Sequence, residues 1–175
     1  MVGILSPMSG SGALKTQYTL LLKMITYNKN FLNKVTDKVT IGIVFQNRYR
    51  LSADAKENLV NVIDDLGLKV ENRVVEYILM DLSESSRLEY FVNNLSLDVL
   101  FVLPLRGTDI NSIIAFSKKY KIMTFTSVPA YMNDGISTCV DMDGQNPVII
   151  INRNSARSEG VEFSSQLLKV ARIIE

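Results

Sequence analysis

The sequence predicts an α/β fold: a three-layer sandwich with a mostly parallel central sheet of order about 2-1-3-4, followed by a C-terminal β-hairpin and a terminal helix. Three observations carry this. Through residues 39–126, β-branched apolar runs alternate with segments of helical periodicity. One of those runs, Val99-Leu100-Phe101-Val102-Leu103, is apolar without interruption, as in a strand covered on both faces. Past Pro129 the alternation gives way to two short strand-like runs flanking Asp143-Gly144-Gln145, a hairpin signal.

Taken in order, Leu14, Tyr18, Leu21, Leu22 and Ile25 fall at helical spacing in a first helix that ends near Asn30, with Phe31 and Leu32 extending its apolar end. Only Lys15, Lys23 and Lys29 flank the stripe, which favours core packing over a membrane surface. Val39–Phe45 is a buried strand. The polar loop Gln46–Arg50 leads to a helix that Ser52 can cap and Gly67 can end, with Ala55, Leu59, Val62, Ile63 and Leu66 on one face.

Val70–Met80 reads as the second strand. Asp81 or Ser83 can cap the next helix, whose face is Leu88, Phe91, Val92 and Leu95. The Val99–Leu103 strand stops at Pro104. Thr108 or Asp109 caps a helix that carries Ile110, Ile113, Ile114 and Tyr120. Ile122–Thr126 is the fourth strand. Right-handed crossovers then give a mostly parallel sheet. After the hairpin, Asn152–Glu159 forms a short helix ended by Gly160. Ser164 or Ser165 caps a last helix with Leu167, Leu168, Ala171 and Ile174 facing inward. Residues 1–13, rich in Ser and Gly, read as a flexible leader or a vector-derived remnant, and residues 14–175 as a single domain.

The 175 residues carry a net charge of +1, so there is no basic surplus to bind nucleic acid. The chain contains no histidine, which excludes imidazole as base, shuttle or metal ligand. The single cysteine, Cys139, lies in an apolar strand and reads as a buried small hydrophobe. No dinucleotide, phosphate-loop or nucleophile-elbow motif is present. Asp141 and Asp143 flank a hairpin tip, where carboxylates are normally solvated, so no metal site is expected there. Glu84, Glu89 and Asp98 read as surface charge.

With the predicted strand order, the loops Gln46–Arg50 and Pro104–Asp109 meet at the carboxyl ends of adjacent strands, where open α/β sheets bind ligands. Gln46, Asn47, Arg48, Arg106 and Thr108 are therefore the ligand-binding candidates. Arg48, Arg50 and Arg106 either recognise an anion there or are solvated loop residues. No cofactor is implied.

Val128-Pro129-Ala130-Tyr131-Met132-Asn133-Asp134-Gly135-Ile136 resembles the turn that leads into a hairpin strand in YfiR-like proteins. Ile151-Asn152, Ala156, Gly160-Val161, Ser164-Ser165 and Leu167-Leu168-Lys169-Val170-Ala171 resemble that family's closing pattern. Leu22, Ile25, Tyr27, Asn28 and Phe31 fit its opening helix. The resemblance implies a non-enzymatic periplasmic regulator, its signal peptide absent from this sequence. Such a regulator represses a membrane-bound diguanylate cyclase, dimerises, and is sequestered by an outer-membrane lipoprotein. It carries over no catalytic residue. A single cysteine departs from disulfide-stabilised members, which puts redox control in doubt. The partner-binding candidates are Tyr131 and Met132 in the turn and Tyr18 on the first helix, unless they belong to the core. The alternative is a small-molecule-binding module that uses the switch-point loops.

Overall fold

The computed structural model describes residues 10–34, 37–67, 69–84, 88–91, 96–107 and 110–175. Its strands form one sheet in the order β2-β3-β1-β4-β5-β6-β7-β8. The strands are β1 (Lys38–Phe45), β2 (Lys69–Val70), β3 (Arg73–Asp81), β4 (Val99–Val102), β5 (Met123–Thr126), β6 (Thr138–Asp143), β7 (Asn146–Asn152) and β8 (Arg172–Ile174). The helices are α1 (Gly10–Thr26), α2 (Phe31–Lys34), α3 (Arg50–Leu66), α4 (Ile110–Tyr120), α5 (Arg153–Ser158) and α6 (Ser165–Leu168).

The predicted 2-1-3-4 order is β3-β1-β4-β5, all parallel, with the β6–β7 hairpin beyond it. Period-two alternation sends the side chains of each central strand to opposite faces, and both faces are covered. On one side Ile41, Ile43, Phe101 and Phe125 pack with Tyr18, Leu21 and Ile25 of α1 and Leu59 of α3. On the other, Val44, Leu100 and Val102 pack with Ile113, Ile114 and Phe116 of α4. Gly42 lies where β1 passes under this second layer. A Cβ there would sit 2.6 Å from Met80 Sδ and 3.0 Å from Leu100 Cδ2, so any larger residue forces these buried side chains to shift.

Several expectations are refined. Helix α1 starts at Gly10, so residues 10–13, expected to belong to a flexible leader, are helical. The predicted strand Val70–Met80 is two strands, because the chain reverses at Glu71-Asn72, where Glu71 takes a positive φ of 54°. Ser52 does not cap α3. Tyr49 holds that position, and the buried Ser52 hydroxyl accepts from the Gln46 amide at 2.9 Å. Gly67 ends the helix in the left-handed conformation, as predicted. Of the helix expected after β3, Leu88–Phe91 form a 3-10 turn, and Val92 and Leu95 lie outside the described residues. The cap candidates Thr108 and Asp109 also lie outside them.

The largest departure is at the C-terminus. Ser164 caps α6, its hydroxyl accepting from the Leu167 amide, but α6 ends at Leu168. Arg172–Ile174 then pairs parallel to β7, Ile151 opposite Ile173, where a continuous helix was expected. Two physical preferences outweigh the helical spacing of Leu167, Leu168, Ala171 and Ile174. The β-branched pair Ile173-Ile174 favours extended backbone, and a strand there satisfies the otherwise open β7 edge.

Candidate functional site

The loops after β1, β3 and β4 converge at the carboxyl end of the sheet, around the point where the chain order reverses between β3, β1 and β4. The Gln46 side chain clamps the Arg106 peptide: Nε2 donates to the Arg106 carbonyl at 3.0 Å, and Oε1 accepts from its amide at 2.7 Å. From the other side, the Tyr131 hydroxyl accepts from the Leu105 amide at 2.9 Å and donates to its carbonyl at 3.3 Å. Opposite these, Asp81 Oδ1 accepts from the amides of Asn47 (3.0 Å) and Ser83 (2.9 Å), and the Ser83 hydroxyl accepts from the Arg48 amide (3.0 Å). Burial works against ionisation of Asp81, yet the Asn47 and Ser83 hydrogen bonds and the Arg48 charge hold its carboxyl below the usual range.

These contacts frame a shallow concavity of about 210 Å³ lined by Gln46, Arg48, Tyr49, Ser83 and Arg106. Arg48 pairs with Glu84, both side chains largely exposed. The Arg106 guanidinium has no ion-pair partner among the described residues. The structure therefore brings Gln46, Asn47, Arg48 and Arg106 together, as the sequence predicts. Gln46 and Asn47 hold the loops in place, and Arg106 is the cation facing solvent. Arg50 pairs with Asp54 on the exposed first turn of α3 and does not line the concavity. Thr108 lies outside the described residues.

The partner-binding candidates change character. Tyr18 is fully buried and Met132 nearly so, which removes both from any docking face. Tyr131 is half-buried and spends its hydroxyl on the Leu105 peptide. Asp98, expected as surface charge, is half-buried and accepts from the Thr40 amide at 2.8 Å, and burial raises its pKa. Cys139 is fully buried, as expected, and burial pushes its thiol up to about 12.

Sequence reasoning missed Glu159. Its side chain has no exposed surface and lies at the other end of the sheet, beside the start of β5. Oε2 accepts from the Thr124 amide at 3.0 Å, and Oε1 lies 2.7 Å from the Thr124 hydroxyl and 2.9 Å from the Ser117 hydroxyl. Ser137 joins through Thr124. Burial, the largest influence, raises the Glu159 pKa against the opposing hydrogen bonds. One slight signal was available. A carboxylate just after a helix faces the negative end of its dipole, which costs about 0.3–1 kcal/mol.

The YfiR/HmsC-like family profile matches residues 35–172, most of the chain. The chain belongs to the YfiR/HmsC-like family. No curated protein sequence matches it. Among solved structures, this YfiR/HmsC-like protein is similar to an ABC domain from Streptococcus pneumonia in complex with L-Trp, with a TM-score of 0.62 at 15% identity over 93% of this chain and 60% of that one. It is also similar to a conserved domain protein from Vibrio cholerae, with a TM-score of 0.65 at 14% identity over 93% and 60%. A third likeness is to an open, ligand-free substrate-binding protein with adhesive properties from Clostridium difficile, with a TM-score of 0.59 at 13% identity over 84% and 58%. At these identities the likeness is one of fold. The chain spans about 60% of the length of the first of these structures. No helix among the described residues is long and apolar enough to cross a membrane.

Proposed function

We propose that this chain is a non-enzymatic periplasmic regulator that binds a membrane-bound diguanylate cyclase and holds it inactive. The observation that carries the reading is the YfiR/HmsC-like match over residues 35–172. The mechanism is a population shift: the regulator binds the partner's inactive arrangement more tightly than its active one, and no covalent chemistry is required. A homodimer as the active form and an outer-membrane lipoprotein as the sequestering partner belong to the same reading. With Tyr18 and Met132 in the core, a docking face draws instead on exposed apolar side chains such as Leu79 of β3. Direct binding of the purified protein to the periplasmic segment of the cyclase tests this. A saturable 1:1 complex is expected, and no detectable binding would sink the proposal.

A second reading is favoured by the switch-point concavity, where Arg106 has no ion-pair partner among the described residues, and by a fold shared with a domain solved in complex with L-Trp. It makes the chain a small-molecule-binding module with an anion at Arg106. A screen of nucleotides, amino acids and organic acids by melting temperature tests it. A hit that Arg106→Gln abolishes supports this reading, and silence across the panel counts against it.

A further inference from the structure

The β3 edge of the sheet is largely open. On its outer side β3 meets only β2, through Arg73 and Val74, and no other strand among the described residues lies alongside Val75–Asp81. Two observations fix which way the backbone points there. The β2–β3 hairpin closes with Arg73 opposite Val70, and just past β3 the Leu82 amide donates inward to the Phe45 carbonyl at 2.8 Å. Backbone groups alternate in direction along a strand, so the even-numbered residues of β3 bond to β1 and the odd-numbered ones face outward. The amides and carbonyls of Val75, Tyr77 and Leu79 therefore form a row with no strand partner among the described residues.

Sheet edges are normally blunted by proline, a bulge, a lysine or brevity. None of these applies here. The strand is 9 residues long, and its register with β1 runs unbroken from Val74 to Asp81. Val75–Asp81 contains neither proline nor a basic residue. Alternating donors and acceptors at strand spacing are matched by one kind of occupant, an extended polypeptide.

The charge of that occupant follows from what lies beside the edge. A concavity of about 470 Å³ between the end of α3 and β3 is lined by Asp64, Val75, Glu76 and Tyr77, and among the described residues no base lines it. Glu76 is paired with Lys38 at 2.7 Å. Asp64 accepts from the Tyr77 hydroxyl at 3.4 Å and has no ion-pair partner among the described residues. A second copy of this chain fits poorly. Pairing Val75–Asp81 with itself brings the acids of two copies together and supplies no base to offset them.

We propose that the β3 edge takes up an extended, basic segment of another protein as an added strand, its backbone paired with Val75, Tyr77 and Leu79 and a Lys or Arg beside Asp64. The assignment stands on the edge itself and holds or fails independently of the cyclase as partner.

The test is fluorescence anisotropy of the full chain at low salt with a labelled, capped hexapeptide of alternating lysine and valine. Saturable binding is expected. Methylating the peptide's backbone nitrogens keeps its charge and removes its donors, and should weaken binding by about 10-fold or more, the scale of two lost hydrogen bonds. Replacing its lysines by glutamate should weaken it as well. Asp64→Asn should cost about 2- to 5-fold, the scale of an exposed ion pair, with an unchanged melting temperature because the side chain is exposed. Leu79→Pro removes an outward amide and no bond to β1, and should abolish binding. Hydrogen exchange adds a readout that a purely electrostatic contact would not move. In the free protein the amides of Val75, Tyr77 and Leu79 should exchange fast and those of Glu76, Ile78 and Met80 slowly, and the peptide should protect the first set. The proposal is overturned if the peptide does not saturate, if the methylated or glutamate peptide binds equally well, or if those amides stay unprotected. A dimeric chain with the same amides already protected would assign the edge to a second copy and overturn it too.

Discussion

Removing the Glu159 carboxylate should destabilise the fold far more than its place in a surface-looking helix end would imply. In Glu159→Ala the Thr124 amide loses its acceptor, while the two hydroxyls have alternatives. Ser117 Oγ also lies 2.9 Å from the Ile114 carbonyl, and Thr124 Oγ1 lies 3.2 Å from Ser137 Oγ. One orphaned buried amide costs about 1–3 kcal/mol. The one buried methylene lost with the side chain adds roughly 0.8 kcal/mol. The expected total is about 2–4 kcal/mol, measured by urea unfolding. Glu159→Gln should stay within about 1 kcal/mol of the parent at acidic pH, because an amide can accept from Thr124 and donate to hydroxyls that rotate to receive it. The pH dependence sharpens the test. Burial raises the Glu159 pKa, so the folded protein holds this proton more tightly than the unfolded chain does. The stabilising contribution is complete below the ordinary glutamate value of about 4.3 and is lost as pH rises through the folded value. Glu159→Gln should remove that decline. An alanine variant within about 0.5 kcal/mol of the parent, or a glutamine variant with the parent's pH slope, would refute the reasoning.

Three further outcomes follow from the core. The Tyr18 hydroxyl is buried with no hydrogen-bond partner among the described residues, so Tyr18→Phe should leave stability unchanged or raise it by about 1 kcal/mol in urea melts. Gly42→Ala forces a Cβ against Met80 and Leu100 and should cost about 1–3 kcal/mol by the same assay. The Cys139 thiol, buried and pushed up to about 12, should resist a thiol-reactive disulfide reagent in the native protein and react at once in denaturant.

The central sheet was legible because its strands are buried on both faces and therefore read as continuous apolar runs, Val99–Leu103 most clearly. Their order followed from alternation with helices and the handedness of crossovers. The hairpin was legible from Asp143-Gly144, and Gly144 takes a positive φ of 62° in the turn. The terminal strand was not, because Leu167 to Ile174 satisfies a helical period as well as Ile173-Ile174 satisfies a strand. The choice depends on pairing with β7, which lies outside the window that local periodicity registers. The switch-point residues were found by topology, but that reasoning assigns a place and no task. Gln46 and Tyr131 are occupied in holding the Leu105-Arg106 peptide, a role visible only once the loops meet. Glu159 escaped for a related reason. Its site is assembled from segments far apart in the chain, and each segment alone looks like an ordinary cap or surface helix.

Stoichiometric repression, as proposed above, is tested most directly by the activity of the partner. A membrane diguanylate cyclase whose periplasmic segment binds this chain, held in nanodiscs with both faces accessible, can be titrated with the purified protein while cyclic-di-GMP synthesis is followed. Synthesis should fall linearly with added protein and level off at a fixed molar ratio. Undiminished synthesis at saturating protein would contradict the claim.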